Sequence, residues 1–310
     1  MIENLEIRNF DTIMTDSIIS KSQSGSHNPH NPTRLPPWLK RASAYSGRGG
    51  EVNDLIHAGN LNTVCAEAKC PNRGECFSRG SAAFLILGSI CTRNCAFCGV
   101  QSGTPLDVDL DEGRRLAEAA LAMGLKHIVI TSVTRDDLSD GGAGAFSDVI
   151  KQLRVKIPDA TLEVLIPDFK GCDKALSTVL DSKPNVLNHN LETVPRLYPE
   201  IRPQAIYSRS LALLERAAAD GRAKVKSGIM AGFGETIDEV RALLTDLKKT
   251  GCSIITIGQY LRPSRNQVPV TEFVTPQQFN DYEKLCLDMG FEQAFCGPYV
   301  RSSYRAGELC

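Results

Sequence analysis

From Ala82 onward the chain repeats one pattern, a short β-rich apolar run followed by an amphipathic stretch. The runs are AAFLILG, HIVITSV, TLEVLIPD, NVLNHNL, KVKSGIMAGF and SIITIGQYL, and the amphipathic stretches lie near 111–123, 143–156, 171–180, 208–220, 236–249 and 276–289. Strands that alternate with helices are joined by crossovers, so they pair in parallel. Near-continuous apolar runs put both faces of the sheet out of water, one under helices and one filled from the other side. The expectation is an α/β fold of six strand–helix units, and one α/β barrel would use most of the 310 residues. Function then belongs at the C-terminal ends of the strands. The residues there are polar or Gly-rich: CTRNC, TRDDLSDGG, NHNLET, AGFGET and QYLRPS.

The first of these loops concentrates the chemistry. Cys91, Cys95 and Cys98 stand as CxxxCxxC within ILGSICTRNCAFCGV. Their spacing follows neither a helical nor a strand stripe, so it wraps a point. A cubane iron–sulfur cluster and a closed zinc site each take four ligands, so three thiolates leave one metal position open. Zinc and three buried structural cysteines are the alternatives. Upstream, NTVCAEAKCPNRGECF carries a second trio, Cys65, Cys70 and Cys76, spaced CxxxxCxxxxxC. Pro71 and Gly74 should break any helix between these ligands, as a loop folding around a cluster requires. A zinc knuckle is the rival here, although the two-residue gaps common at structural zinc sites are missing.

Eleven cysteines in a chain whose first twenty residues lack both a basic start and an unbroken apolar core point to a reducing cytoplasm. Clustered cysteines there are metal ligands more often than disulfides. Charge is nearly balanced, 35 Lys+Arg against 36 Asp+Glu. Bulk electrostatics therefore compel neither a nucleic-acid nor a membrane partner, and no apolar run is long enough for a membrane span. Residues 1–33 are polar and read as a disordered tail, with His27 and His30 in it. LPPWLKRAS reads as a short helix with Trp38 turned inward, and EVNDLIHAGNLNTV as another turn or two of helix. DVDLDEG begins like a calcium loop, but Glu112 stands where the sharp turn needs Gly, so its acids suit a helix N-terminus instead. GFGET lacks the third glycine of a dinucleotide fingerprint. Cys172, Cys252, Cys286, Cys296 and Cys310 have no ligand spacing and are expected mostly as small buried hydrophobes. For Arg202 and Arg301 two readings stand, facing a carboxylate or the commoner unpaired surface arginine.

CxxxCxxC with Phe97 just before its last Cys resembles the radical S-adenosylmethionine (SAM) enzymes. The two trios in this order, together with TSVTRDDLSDGGA, LNHNLETVPRLY, KSGIMAGFGET and RSSYRAGEL, resemble the lipoyl synthases within that group, from about residue 35 to the end. Biotin-synthase-like enzymes and methylthiotransferases place their second ligand set elsewhere. A cluster-bearing electron carrier, the rival of another class, needs no six-unit barrel.

The resemblance implies a partial (β/α)6 TIM-type barrel over 81–290, preceded by a cluster-binding extension at 34–80 and followed by a closing segment at 291–310 with the RSSY motif. It implies two 4Fe–4S clusters and S-adenosyl-L-methionine. Cys91, Cys95 and Cys98 match the ligands of the SAM-binding cluster. Cys65, Cys70 and Cys76, with Ser303 as fourth ligand, match those of the auxiliary cluster. Phe97, Asn190 and Glu192 are the expected SAM contacts, and Leu, Ile and Val from the inner strand faces are expected to line an apolar slot. The implied reaction inserts two sulfur atoms, at C6 and C8, into an octanoyl chain carried on a lysine, the sulfur coming from the auxiliary cluster. The implied partners are octanoylated lipoyl carrier domains (the glycine cleavage H protein and the acyltransferase subunits of 2-oxoacid dehydrogenases), an electron donor such as ferredoxin or flavodoxin, and an iron–sulfur carrier. A saturated C–H bond offers nothing to acid–base catalysis, which is why radical chemistry fits such a substrate.

Overall fold

The computed structural model describes residues 34–40, 48–79, 81–304 and 306–308. The tail read at 1–33, with His27 and His30, lies outside the described residues, as does Cys310. A 3-10 turn at Pro37–Leu39 leads to α1 (Arg48–Ala58), β1 (Asn62–Thr63), α2 (Val64–Glu67), α3 (Arg73–Ser78) and β2 (Ala83–Ile86). The two-residue strands β3 (Ile90–Cys91) and β4 (Gln101–Ser102) pair in parallel and close the CxxxCxxC loop on itself. Then follow α4 (Glu112–Ala122), β5 (His127–Ser132), α5 (Ala143–Lys156), β6 (Thr161–Leu165), α6 (Asp173–Asp181) and β7 (Val186–Asn188). The chain continues through α7 (Tyr198–Ile201), α8 (Tyr207–Asp220), β8 (Lys224–Ala231), α9 (Ile237–Lys249), β9 (Ile254–Gln259), α10 (Pro276–Asp288) and β10 (Gln293–Gly297).

The main sheet runs β1-β2-β5-β6-β7-β8-β9-β10, parallel throughout except for β1, which is antiparallel on the β2 edge. Strand order follows chain order, because each crossover helix delivers the chain to the neighbouring position. All six apolar runs are strands of this sheet, and β10 adds a further parallel strand. Its sequence, QAFCG, is too polar and too short of β-branched residues to stand out by composition.

Along each strand the two faces differ. Ile128, Ile130, Leu162, Val164, Leu187, Ile255 and Ile257 are fully buried aliphatics, matched from the helices by Phe146, Ile150 and Leu153 of α5. Each such side chain contributes up to about 1.5–3 kcal/mol. The alternate positions are more varied than the aliphatic lining expected: Thr131, Glu163, Asn188, Lys226 and Thr256 are all buried there. Helix starts are set locally. Thr236 with Glu239, and Thr275 with Gln278, form capping boxes at α9 and α10.

Three local expectations are corrected. Trp38 is 38% exposed while Leu39 is buried, since a single 3-10 turn has no inward face wide enough for both. Helix α1 has 11 residues, about three turns. The first cysteine trio is more helical than a wrapping loop, for Cys65 lies in α2 and both Gly74 and Cys76 lie in α3, with Pro71 alone interrupting.

Candidate active site

A cavity of about 310 Å³ opens among the C-terminal ends of β5 to β9, where the loops after the strands converge. Cys65, Cys70, Cys91, Cys95 and Cys98 line it, together with Phe97, Asn190, Glu192 and Ser303. Cys76 is off the lining but close enough to Cys65 and Cys70 for charge on either to raise its thiol. Two loops more than a dozen residues apart in sequence are thus brought to one space. Among the described residues, no three His, Cys, Asp or Glu side chains are gathered on a single ion-sized point.

The CxxxCxxC loop is held from several sides. Glu112, the residue that spoils a calcium loop, turns inward instead. It is 8% exposed and accepts a 2.8 Å hydrogen bond from the Leu87 backbone N–H, where the chain leaves β2 with φ +68°. Within the loop, Ala96 N donates to Ile201 O and Val268 N to Ala96 O, both at 3.0 Å. Cys91 Sγ receives N–H groups from Arg93 at 3.4 Å and Thr134 at 3.3 Å, which fix its orientation. Burial pushes the Cys98 thiol up to about 12 and raises Cys95 as well. In the other trio burial takes Cys65 to about 11 and Cys76 to about 12. Thiols this deeply placed give up their protons to a cation, not to water.

Arg93, between the first two thiols of that loop, is buried and forks onto Asp136 at 2.7 and 3.0 Å while reaching Asp168 at 2.6 Å. Burial alone would raise the Asp168 carboxyl, but the Arg93 guanidinium outweighs it and holds the group at about 2. Asp168 therefore stabilises the fold above its unfolded value of about 3.9 and loses that contribution as pH falls toward 2. We expect Arg93→Leu to lower the unfolding free energy at neutral pH by about 3 kcal/mol, by leaving the buried Asp168 carboxylate with only the longer contact to Arg209, at 3.3 Å. In denaturant titrations the gap from wild type should narrow below pH 4, as Asp168 takes up a proton; a pH-independent gap would show that the ion pair is not its source.

The C-terminal segment is fastened to the first trio. Tyr304 OH donates to Glu75 Oε1 at 3.0 Å, and Asn72 Nδ2 donates to Tyr299 O at 2.6 Å. Glu75 shares α3 with Cys76, and Asn72 lies between Cys70 and Cys76. Ser303, one residue before Tyr304, thereby stands half-buried at the cavity wall.

On the other wall, Asn190 Nδ2 donates to Glu192 Oε1 at 3.0 Å and to Ser302 Oγ at 2.7 Å. Glu192 has φ +66°, a left-handed conformation that costs a non-glycine residue energy and is concentrated at functional sites. Burial raises its carboxyl, partly offset by Arg202, Asn190 and Arg301. Arg202 is not a surface residue: it is 9% exposed and donates to Asn190 O and Leu191 O at 3.0 and 3.1 Å. Arg301 is half-buried, its charge felt by Cys70 and Glu192. Behind them His189 is fully enclosed, Nδ1 donating to Ile166 O and Nε2 accepting from Ser210 Oγ; burial lowers it to about 4, so it is neutral. Cys252 and Cys286 are buried as expected, Cys296 is half-buried, and Cys172 is exposed.

Sequence reasoning did not single out Arg93, Glu163 or Lys226, and read Glu112 only as an acid at the start of a helix, where it does stand at the first residue of α4. The available signal was a charged residue inside an apolar strand run or between cluster ligands, where solvation is not on offer.

Among known proteins, the profile of the Radical SAM superfamily matches residues 85–247. The lipoyl synthase of Caldanaerobacter subterraneus subsp. tengcongensis is 51% identical over 274 residues, covering 88% of this chain and 96% of that protein. The lipoyl synthase of Thiobacillus denitrificans is 49% identical over 286 residues, 90% and 91% of the two chains. Two solved structures are similar in fold at low identity. Methylornithine synthase has TM-score 0.50 at 13% identity, over 84% of this chain and 90% of that one. HydG, a maturase of the FeFe-hydrogenase, has TM-score 0.55 at 14% identity, over 85% and 71%.

Proposed function

The chain belongs to the lipoyl synthase family of the Radical SAM superfamily, and from that membership we propose how its residues serve the reaction. It is a sulfurtransferase that inserts two sulfur atoms, at C6 and C8, into an octanoyl chain held on a lysine of lipoyl carrier proteins. The observation that carries the assignment of residues is that five of the six trio thiols line one cavity of about 310 Å³, with Cys76 beside Cys65 and Cys70 just off its wall. Parallel strands taken in chain order, six of them followed by helices, support a partial (β/α)6 barrel around it.

The donor set fits two 4Fe–4S clusters. Zinc draws four ligands to about 2.0–2.3 Å of one ion, whereas the ligands of a cubane sit on different iron atoms and stay further apart. Two separate trios of thiols, each short of the four donors of a closed zinc site, suit the second arrangement. Cys91, Cys95 and Cys98 would hold one cluster, supplying three of the four ligands that a cubane takes. Cys65, Cys70 and Cys76 hold the other, with Ser303 as fourth ligand. When bound, the first supplies the electron that cleaves SAM and the second supplies sulfur. The chain's own part is to place and to exclude. Phe97, Asn190 and Glu192 flank SAM, and Arg202 and Arg301 offset the Glu192 carboxylate. Leu85, Leu165, Ile229 and Met230 give an alkyl chain dry walls that cannot compete for it by hydrogen bonding.

The test is direct. Anaerobically loaded protein is given SAM, dithionite and an octanoyl-lysine peptide, and mass spectrometry follows 5'-deoxyadenosine and dihydrolipoyl product. Fully loaded protein that makes no deoxyadenosine would falsify the reading. The working partners proposed with it are octanoylated H protein and acyltransferase subunits, a ferredoxin or flavodoxin as reductant, and an iron–sulfur carrier for rebuilding the auxiliary cluster, in a cytoplasmic setting. No described helix is long and apolar enough to cross a membrane.

Ser303 carries a sharper prediction. An alkoxide oxygen is a harder donor than a thiolate, a poorer match for iron in such clusters and easily lost on protonation. Ser303→Cys should keep both clusters and deoxyadenosine formation yet lower the rate of dihydrolipoyl product by at least about tenfold, some 1.4 kcal/mol of barrier. Product at the wild-type rate would remove Ser303 from the chemistry.

A further inference from the structure

Strands β6 and β8 carry a buried ion pair that does not line the cavity. Glu163 on β6 and Lys226 on β8 are both fully buried, with Lys226 Nζ 2.8 Å from Glu163 Oε1. The second bond of Lys226 goes to a backbone, the carbonyl of Ser302, 2.6 Å away. Asn188 Nδ2 also reaches Glu163 Oε1 at 3.3 Å, and His127 Nε2 stands 3.4 Å from Glu163 Oε2. Burial would raise the Glu163 carboxyl, but Lys226 and His127 together hold it below the usual carboxylate range. A buried ion pair seldom stabilises a fold more than apolar residues of the same volume. Stability alone is therefore a weak reason for placing one here.

The strands around the pair are shaped to receive the C-terminal segment. At Gly228 on β8, a Cβ would lie 2.5 Å from Thr256 Oγ1, 2.9 Å from Asn190 Oδ1 and 3.1 Å from Ser302 Oγ. At Gly258 on the neighbouring β9, a Cβ would collide with the Val300 carbonyl. Glycine weakens a strand interior and marks the close approach of another backbone. Ser302 is thus gripped twice, by Lys226 at its carbonyl and by Asn190 at its hydroxyl. Ser302 and the next residue, Ser303, both line the cavity.

We propose that Lys226, oriented by Glu163, is a positioning residue for sulfur insertion: it fixes the Ser302 carbonyl and so sets the backbone from which Ser303 reaches the auxiliary cluster. The inference rests on the reading of Ser303 given above. A cation is suited to the task because its charge is stabilised by Glu163 while another of its N–H groups donates to the Ser302 carbonyl. A neutral apolar residue would leave the Ser302 carbonyl buried without that donor.

Lys226→Met alone strands the Glu163 charge in the interior, so the informative variant is the double Glu163→Leu/Lys226→Met, which removes both charges at similar volume. In full-length, cluster-loaded protein, hydrogen exchange read by mass spectrometry should quicken by at least about tenfold across residues 299–304, while β6 and β8 stay within about twofold of wild type. Dihydrolipoyl product per deoxyadenosine should fall by at least about tenfold while deoxyadenosine formation persists. Unchanged exchange at 299–304, faster exchange spread evenly over the sheet, or a double variant that fails to fold would each overturn the proposal, the last two by showing that the pair serves the fold as a whole. Wild-type protein that makes no deoxyadenosine would overturn the family reading instead, so the two failures are distinguishable.

Discussion

Replacing Cys91, Cys95 and Cys98 together by alanine is expected to leave about half of roughly eight iron atoms and to lower deoxyadenosine formation by at least about a thousandfold. The reasoning is geometric. These thiols share one loop that β3 and β4 close on itself, and Arg93 and Glu112 brace it from Asp136, Asp168 and the end of β2. The other trio is held by α2 and α3 and by the C-terminal segment, none of which depends on the substituted thiols. One iron population should therefore vanish while the other stays. Iron assay and deoxyadenosine yield on the same preparation provide the check. Deoxyadenosine at even a tenth of the wild-type rate would mean that SAM is cleaved elsewhere.

The reciprocal substitution, Cys65, Cys70 and Cys76 to alanine, is expected to separate the two activities. Dihydrolipoyl product should fall below detection, at least about a hundredfold, with deoxyadenosine formation retained within a few-fold. Cys65 is buried, and losing its sulfur should cost the fold only about 1 kcal/mol. The protein remains folded because α2 and α3 also pack through Phe77 and the α1 residues Val52 and Ile56. Single-turnover assays that count both products decide the matter. Equal loss of both would show that the N-terminal extension shapes the SAM site as well as supplying sulfur.

Much of this site was legible without coordinates, and the reason is locality. A CxxxCxxC loop keeps its ligands within a few residues, so spacing alone announces a point of convergence. The six apolar runs became strands at their expected places, because burial on both faces demands unbroken apolar sequence. What misled was also local. Trp38 was given an inward face that a 3-10 turn cannot provide, and Gly74 was read as a breaker where α3 tolerates it. For Arg202 the surface was the commoner reading because an arginine is usually solvated; here the carbonyls of Asn190 and Leu191, at a bend that no spacing rule describes, receive it in the interior.

The sequence by itself therefore determined the order of the elements, the parallel sheet and both sets of candidate ligands, since each depends on residues close together along the chain. Only the tertiary structure decided which distant groups meet. Arg93 finds Asp168 across 75 residues, Lys226 finds Ser302 across 76, and Tyr304 finds Glu75 across 229. A lysine or glutamate reads the same in sequence whether water or a partner satisfies it. Burial against the sheet removes the water, and the partner is then whichever group the strand register brings within hydrogen-bond reach.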